Sequence, residues 1–259
     1  MKDIEVSVIT CTRNRPDYLR RCILSVKNQT FKNYEHIIVA DRCDYAKRVY
    51  EDFKKDRRIK LIESGENKNK AKDCPCPFLR NLAVEESSAD FLCYCDDDNI
   101  FLPNHLSILY NSMANGFDFA YSRCYYDKIG GKDQDGCSEI ILNQPDLYFL
   151  KDMSAAKNYW DCPDNLRIMT SKKLLLESGG WIKPARHTND DLDLIERLDN
   201  CAKKIDKINT LTAIYYIKAK YRYDKSYHES LKRMSDGNIY VYNKYPNNLK
   251  CPECFFGEV

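Results

Sequence analysis

The chain has 259 residues, 43% of them hydrophobic and 31% charged, with a formal net charge of +2. This suits a globular fold with a sizeable core, as one large domain or two closely joined halves, and excludes a disordered chain. So small a net charge gives no general reason to expect nucleic acid or a membrane surface as a partner, so any attraction for an anionic ligand must be local. No stretch approaches the length of a transmembrane helix. The opening MKDIEVSVIT carries Asp3 and Glu5 inside a short apolar stretch, which does not suit a signal peptide. Thirteen cysteines, an odd number, then read as free thiols in a reducing cytosol, and a cytoplasmic protein is expected.

In chain order, Val6 to Cys11 (VSVITC) is a β-rich buried run. In the NRPDYLRRCILSVKNQ that follows, Pro16 suits a first helical turn. Leu19, Cys22, Ile23 and Val26 then recur at i, i+3, i+4 and i+7, one face of a helix. Tyr34 to Ala40 predicts a strand, Asp44 to Phe53 a helix, and Arg58 to Glu63 a third strand. Leu79, Leu82, Ala83 and Glu86 are at helical spacing, and DFLCYC returns to strand. PNHLSILYNSM predicts a helix, FDFAYSRCYYD a strand, and the Gly- and Asp-rich KIGGKDQDG a hairpin turn or loose segment. LRIMTSKKLLLESGG reads as a strand and then a helix closed by Gly179 and Gly180. NDDLDLIERLDNC is a helix and INTLTAIYYIK a strand, while the last forty residues show no clear pattern. Alternating strands and helices argue for an α/β fold with a mostly parallel sheet covered on both faces.

The run FLCYCDDDNIFLPNHL ends on three adjacent aspartates, Asp96, Asp97 and Asp98, which repel one another in the absence of a cation. They read either as a solvated turn, which Asp and Asn favour, or as a metal site. Their address favours a site. They fall past the C-terminal end of the fourth strand, where open α/β sheets place ligands, with Asp41 after the second strand and CTRN after the first. In an extended segment Asp96 and Asp98 face the same way.

Three stretches together resemble the family 2 glycosyltransferases of the GT-A fold. VSVITCTRNRPDYLRRCILSVKNQTFKNYEHIIVAD is similar to their opening, a strand, Thr-x-Asn-Arg, a Leu-rich helix and a strand ending in Asp. DFLCYCDDDNIFLPNHL resembles their aspartate motif, and SGGWIKPARHTNDDLDLIERL their Gly-Gly-aromatic and acidic-pair motif. The motifs occur in the family's order over about residues 4 to 200. The resemblance implies a GT-A type sheet flanked by helices, with a smaller acceptor-side subregion. It implies inverting transfer of a sugar from a nucleotide diphosphate sugar, expected to be UDP-linked, to a hydroxyl of a glycan, lipid-linked or protein acceptor. Mn²⁺ or Mg²⁺ bridging the pyrophosphate suits all-oxygen ligands.

Residue by residue, the resemblance makes Asp98 the metal ligand and Asp97 the residue meeting the ribose and metal shell, with Asp96 as a further ligand. Asp41 matches the acceptor from the base, Cys11 and Arg13 line the nucleotide site, and Arg80 is the basic residue near the pyrophosphate. Asp191 matches the catalytic base, and Asp190 caps or positions. Apart from the resemblance, Trp181 beside the acidic pair reads either as an acceptor-side aromatic, since Trp and Tyr often pack on sugars, or as a core aromatic. A helix N-terminus would keep Asp191 ionised but make it a weak base. The implied division is a nucleotide-sugar half over 1–120, an acceptor half over 121–218 and an extension over 219–259.

The chain departs from the family in two places. The family often has Asp-Asp-Gly after the second strand, whereas ADRCD lacks the first Asp and the Gly. Arg13 also replaces a usual aromatic beside the base. Other readings stay open. Acidic residues favour a helix's first turn without catalysing anything. Cys251 and Cys254 (CPEC) with Cys74 and Cys76 (CPC) could hold zinc, giving a catalytically silent nucleotide- or zinc-binding module. A nucleotidyltransferase would want glycine in TCTRNRP, which has none. His187, Tyr148, Tyr159 and Trp160 are further acceptor-side residues without a legible code.

Overall fold

The VSVITCT run becomes strand β1 (Val6–Thr12), flanked in register by β2 (Tyr34–Ala40) on one side and β4 (Phe91–Tyr94) on the other, both parallel to it. β3 (Ile59–Glu63) pairs parallel to the far side of β2. β1, β2 and β4 are buried almost throughout because helices cover both faces, as parallel sheets require, whereas the edge strand β3 is only partly buried. The coordinates are a computed structural model that describes residues 4–64, 76–129, 164–182 and 190–218.

Helix α1 (Pro16–Lys27) follows β1, α2 (Asp44–Glu51) follows β2, and α3 (Cys76–Glu85) precedes β4. The predicted face of α1, Leu19, Cys22, Ile23 and Val26, is fully buried. Alternation along β1 sends Val8 to one side of the sheet with Cys22 and Val26, and Ile9 to the other with Leu79 and Ala83 of α3. Of the cysteines in apolar runs, Cys22, Cys93 and Cys95 are buried and Cys11 is half-buried. All the cysteines within the described residues are free thiols.

Beyond β4 the sheet continues through β7 (Ile168–Ser171), β6 (Phe119–Ile129), β8 (Ile205–Lys218) and the two-residue β5 (Ile100–Phe101). β7 runs antiparallel to both β4 and β6, β8 is parallel to β6, and β5 is antiparallel to β8. The α/β expectation holds, and the reversal at β7 is what local pattern could not supply. Helices α4 (His105–Ala114), α5 (Lys172–Glu177) and α6 (Asp190–Cys201) complete the described elements, with a 3₁₀ turn over Asn165–Arg167.

Two details fix the loops that matter. Gln29, past the end of α1, donates to the Leu102 carbonyl at 2.7 Å and accepts from the Leu106 amide at 3.0 Å. This ties α1 to the start of α4 and braces the loop after β4. Gly180, at φ +66, ends α5, and a Cβ there would sit 3.3 Å from Asn81 Oδ1. The oxygen it would crowd accepts from the Trp181 amide at 3.0 Å, while Asn81 Nδ2 donates to the Trp181 carbonyl at 2.7 Å. Glycine here lets α3 hold the segment leading toward α6. β6 takes up Lys128 and Ile129, the first two residues of the expected KIGGKDQDG turn. Residues 130–136, Cys74, Cys251, Cys254, His187, Tyr148, Tyr159, Trp160 and the 219–259 extension lie outside the described residues.

Candidate active site at the ends of three parallel strands

Because β1, β2 and β4 are adjacent and parallel, their C-terminal ends open on one edge of the sheet. Asp41 lies there after β2, and its amide donates to the Thr12 carbonyl at 2.9 Å. Its buried carboxylate meets Arg42 Nε at 2.9 Å and Arg13 Nη1 at 3.4 Å. Arg42 holds φ +46, a left-handed conformation uncommon for a residue with a long side chain, and Asn14 on the neighbouring loop holds φ +51.

The aspartates after β4 are not extended. The Asn99 amide donates to the Asp96 carbonyl at 3.0 Å, so the four residues form a turn. The expectation that Asp96 and Asp98 face one way is therefore corrected. Asp97 and Asp98 converge on Arg15, whose Nη1 lies 2.9 Å from Asp97 Oδ1 and 2.6 Å from Asp98 Oδ2. Thr12 donates to Asp97 Oδ2 at 2.8 Å, and buried Arg21 donates to the Asp98 carbonyl at 2.8 Å. Asp96 turns instead to Arg80 Nη2 at 3.1 Å and Asn165 Nδ2 at 3.2 Å.

Arg80, on α3, is the second focus. Its Nη1 also meets Asp190 Oδ2 at 2.5 Å and Asp191 Oδ1 at 3.3 Å, both in the first turn of α6. Its guanidinium lies 4.2 Å from the Trp181 ring centroid. Trp181 is only 2% exposed and packs edge-on against Tyr94. Of the two readings of Trp181, its burial favours the core aromatic, which floors Arg80.

Burial, with Asp96, Asp190 and Asp164 nearby, outweighs Arg80 and pushes the Asp191 carboxyl up to about 8. The expected weak base is corrected: desolvation and like charge win over the helix end. Burial likewise pushes the Cys11 thiol up to about 12, with the Arg80 guanidinium opposing and Asp96, Asp97 and Asp190 reinforcing. Cys11 is thus an uncharged thiol between the two foci.

Within the described residues, no group of three or more His, Cys, Asp or Glu side chains is arranged to hold a metal ion. The donor chemistry nevertheless fits a hard cation. Carboxylates of Asp97 and Asp98 already converge within 2.6–2.9 Å of one cationic nitrogen, and Mg²⁺-type ions take one or two carboxylates plus phosphate oxygens. Sequence reasoning brought Asp41, Arg80, Asp96, Asp97, Asp98, Asp190 and Asp191 to this edge but missed Arg15, Thr12, Asn165 and Arg42. Arg15 stands inside the Thr-x-Asn-Arg text itself, so its signal was available. Asn165 carried none.

An α/β sheet that gathers two acidic foci at the ends of its parallel strands defines an architectural class, and comparison with known proteins supplies the family. Residues 7–175 match Glycosyl transferase family 2, and the chain belongs to that family of transferase enzymes. It is 32% identical over 133 residues to a Campylobacter jejuni GalNAc(5)-diNAcBac-PP-undecaprenol β-1,3-glucosyltransferase, covering 49% of this chain and 40% of that protein. It is 26% identical over 162 residues to the putative glycosyltransferase EpsH of Bacillus subtilis, covering 61% and 45%. The chain spans less than half the length of these relatives.

Among solved structures, S. aureus TarS 1-349 in complex with UDP-GlcNAc superposes with TM-score 0.63 at 15% identity, covering 95% of this chain and 68% of that one. The Pyrobaculum calidifontis mannosyltransferase PcManGT, in complex with GDP-Man and Mn²⁺, gives 0.58 at 14% identity, covering 92% and 62%. The fold is therefore of the GT-A type, with its curled, mostly parallel sheet. Among the described residues no helix is long and apolar enough to cross a membrane.

Proposed function

We propose that the protein transfers a sugar, with inversion at the anomeric carbon, from a UDP-linked donor to an acceptor hydroxyl. The observation that carries this reading is one shared edge. Asp41, Asp97 and Asp98 come from the ends of parallel strands, and Arg80 links Asp96 of the same edge to Asp190 and Asp191. The nucleotide is assigned to residues 1–120, with Asp41 at the base, Cys11 and Arg13 beside it, Asp97 at the ribose and Arg80 near the pyrophosphate. Residues 121–218 are assigned to the acceptor, a glycan, lipid-linked or protein hydroxyl, and 219–259 to an extension. The UDP and UDP-GlcNAc of the TarS structures support the choice of donor.

Asp98 and Asp97 would hold a Mn²⁺ or Mg²⁺ ion, which supplies charge neutralisation for the departing diphosphate. Asp96, expected as a further ligand, is better used where it lies, neutralising Arg80. Asp191 removes the acceptor proton as the hydroxyl oxygen bonds to the anomeric carbon on the face opposite the leaving diphosphate. A carboxylate raised toward 8 is a stronger base than a free one, and near neutral pH it is well matched to that task. Asp190 positions Arg80, and Trp181 supports the acceptor side from below through Arg80.

The test is a thermal-shift screen of nucleotides and nucleotide sugars, with and without Mn²⁺. A ligand that binds only the native state raises stability by RT ln(1 + [L]/Kd). UDP and a UDP-sugar should stabilise the protein more with Mn²⁺ than without. No shift with any nucleotide would overturn the reading.

A further inference from the structure

Helix α1 carries a line of polar side chains beside its apolar face. Arg21, Ser25 and Gln29 recur every four residues, so they stack along one side of the helix and just past its end. All three are buried, and each bonds to the main chain of the segment that follows β4. Arg21 Nη2 donates to the Asp98 carbonyl at 2.8 Å. Ser25 Oγ accepts from the Phe101 amide at 3.3 Å while donating to the Cys22 carbonyl at 2.8 Å. Gln29 takes the Leu102 carbonyl and the Leu106 amide. The line thus holds the segment at its start, middle and end, and Arg21 holds the part that carries the aspartates.

Arginine is rarely as buried as Arg21, which is 6% exposed. Its guanidinium lies 5.4 Å from the ring centroid of Tyr18, one turn back on α1. Where Arg15 meets the carboxylates of Asp97 and Asp98, Arg21 meets the peptide that leaves Asp98. Pinning that carbonyl fixes the peptide plane after Asp98, and with it the direction in which the Asp98 side chain leaves the backbone. The same turn is closed from within by the Asn99 amide on the Asp96 carbonyl.

We infer that Arg21 is a positioning residue, holding the turn over Asp96 to Asn99 in the shape that presents Asp97 and Asp98 to a divalent cation. The inference rests on the proposed metal-assisted sugar transfer and adds which residue behind the site keeps its carboxylates aimed. Groups that orient metal ligands change metal affinity by about 10–100-fold when they are removed. Charge alone argues the other way. A guanidinium so near the turn repels a second cation, so deleting it should tighten metal binding. The two effects have opposite signs and can be told apart.

The experiment measures Mn²⁺ affinity by electron paramagnetic resonance, and UDP affinity by calorimetry with and without Mn²⁺, for wild type, Arg21→Met, Arg21→Lys and Gln29→Leu. Arg21→Met should bind Mn²⁺ about tenfold more weakly. The gain that Mn²⁺ gives to UDP should shrink alike, while UDP affinity without Mn²⁺ holds. Arg21→Lys keeps the charge and one donor but not the fork, so it should lose only severalfold. Gln29→Leu cuts the far end of the line, so its melting temperature should fall while Mn²⁺ affinity stays near that of wild type. Unchanged or tighter Mn²⁺ binding by Arg21→Met would overturn the inference, as would equal losses in Arg21→Met and Gln29→Leu. If Arg21→Met does not fold, Arg21→Lys decides, because a mere neighbouring charge predicts no loss there. Absence of Mn²⁺ binding by wild type would overturn the inference too. Absence of UDP binding by wild type would overturn the parent activity instead, and Mn²⁺ affinity without nucleotide would still decide the role of Arg21.

Discussion

Arg15 and Arg80 each neutralise aspartates at the same edge of the sheet, in opposite ways. Arg15 is 33% exposed and reaches in from a loop to bridge Asp97 and Asp98. Arg80 is 6% exposed, floored by Trp181, and shared by Asp96, Asp190 and Asp191. One cation faces solvent and can be exchanged for another. The other is built in, and three carboxylates around one guanidinium leave net negative charge in a desolvated setting. Burial first, and then the like charge of Asp96, Asp190 and Asp164, push the Asp191 carboxyl up against the pull of Arg80.

The largest expected effect breaks the built-in focus. Arg80→Met should cost up to about 3–5 kcal/mol of unfolding free energy, because it removes the buried guanidinium that three half-buried carboxylates share. Chemical denaturation at pH 7 measures it. A cost near that of an exposed pair would show that the carboxylates relax into water and that Arg80 is not the organiser. Arg80→Lys should recover only part, since one ammonium cannot match a fork with three partners.

Next in size is the chemistry of Asp191. Asp191→Asn should cut sugar transfer by about 10² or more, with donor affinity hardly changed, in line with general-base contributions. Asp190→Asn, the control, should leave transfer largely intact. Single-turnover transfer and donor binding for both variants separate a base from a helix cap, and near-normal transfer by Asp191→Asn returns the acidic pair to structure. The same carboxyl carries a pH signature. With its folded value raised to about 8 from an ordinary 3.8, the native state binds more protons than the unfolded state between these values. Asp191 therefore favours folding fully below about 4, and this contribution is lost as pH rises through about 8. Melting temperatures of Asp191→Asn should gain on wild type over that window, and a gain on acidification instead would reverse the sign argued here.

How much of this was legible beforehand follows from which forces act locally. Leu19, Cys22, Ile23 and Val26 announced α1 because a buried helical face repeats in the sequence. Asp41 and the aspartates after β4 were found because parallel strands deliver their ends to one edge. The turn at Asp96 hid the split between Asp96 and Asp98, since alternation holds only for extended backbone. Trp181 stayed undecided between an acceptor-side and a core aromatic because a ring's exposure depends on Tyr94 and Arg80, both remote in sequence. The raised Asp191 depends on Asp96 and Asp164 arriving from other elements, and no local pattern carries desolvation.

The exchangeable focus gives two smaller effects. Asp98→Asn keeps the size of the side chain but removes half the charge that draws a cation to the turn. Mn²⁺-dependent stabilisation by UDP should be lost with the fold intact, measured by thermal shift. Equal UDP affinity in the presence of Mn²⁺ would sink the assignment of Asp98 as the metal ligand.

The last effect is at Arg15. Its guanidinium is a third exposed but Asp97 and Asp98 are buried, so Arg15→Met should cost about 1–3 kcal/mol, less than Arg80→Met because the cation lost already faces water. Its removal takes away the guanidinium that bridges Asp97 and Asp98, so a divalent ion should bind more readily. Mn²⁺ affinity without nucleotide, read by electron paramagnetic resonance, should rise above that of wild type, and Mn²⁺ should restore the lost stability. This is the reverse of what happens when an ordinary structural ion pair is cut, where added metal changes nothing. Unchanged Mn²⁺ affinity would mean that Arg15 never yields its position, and the contrast between an exchangeable and a built-in cation would not hold.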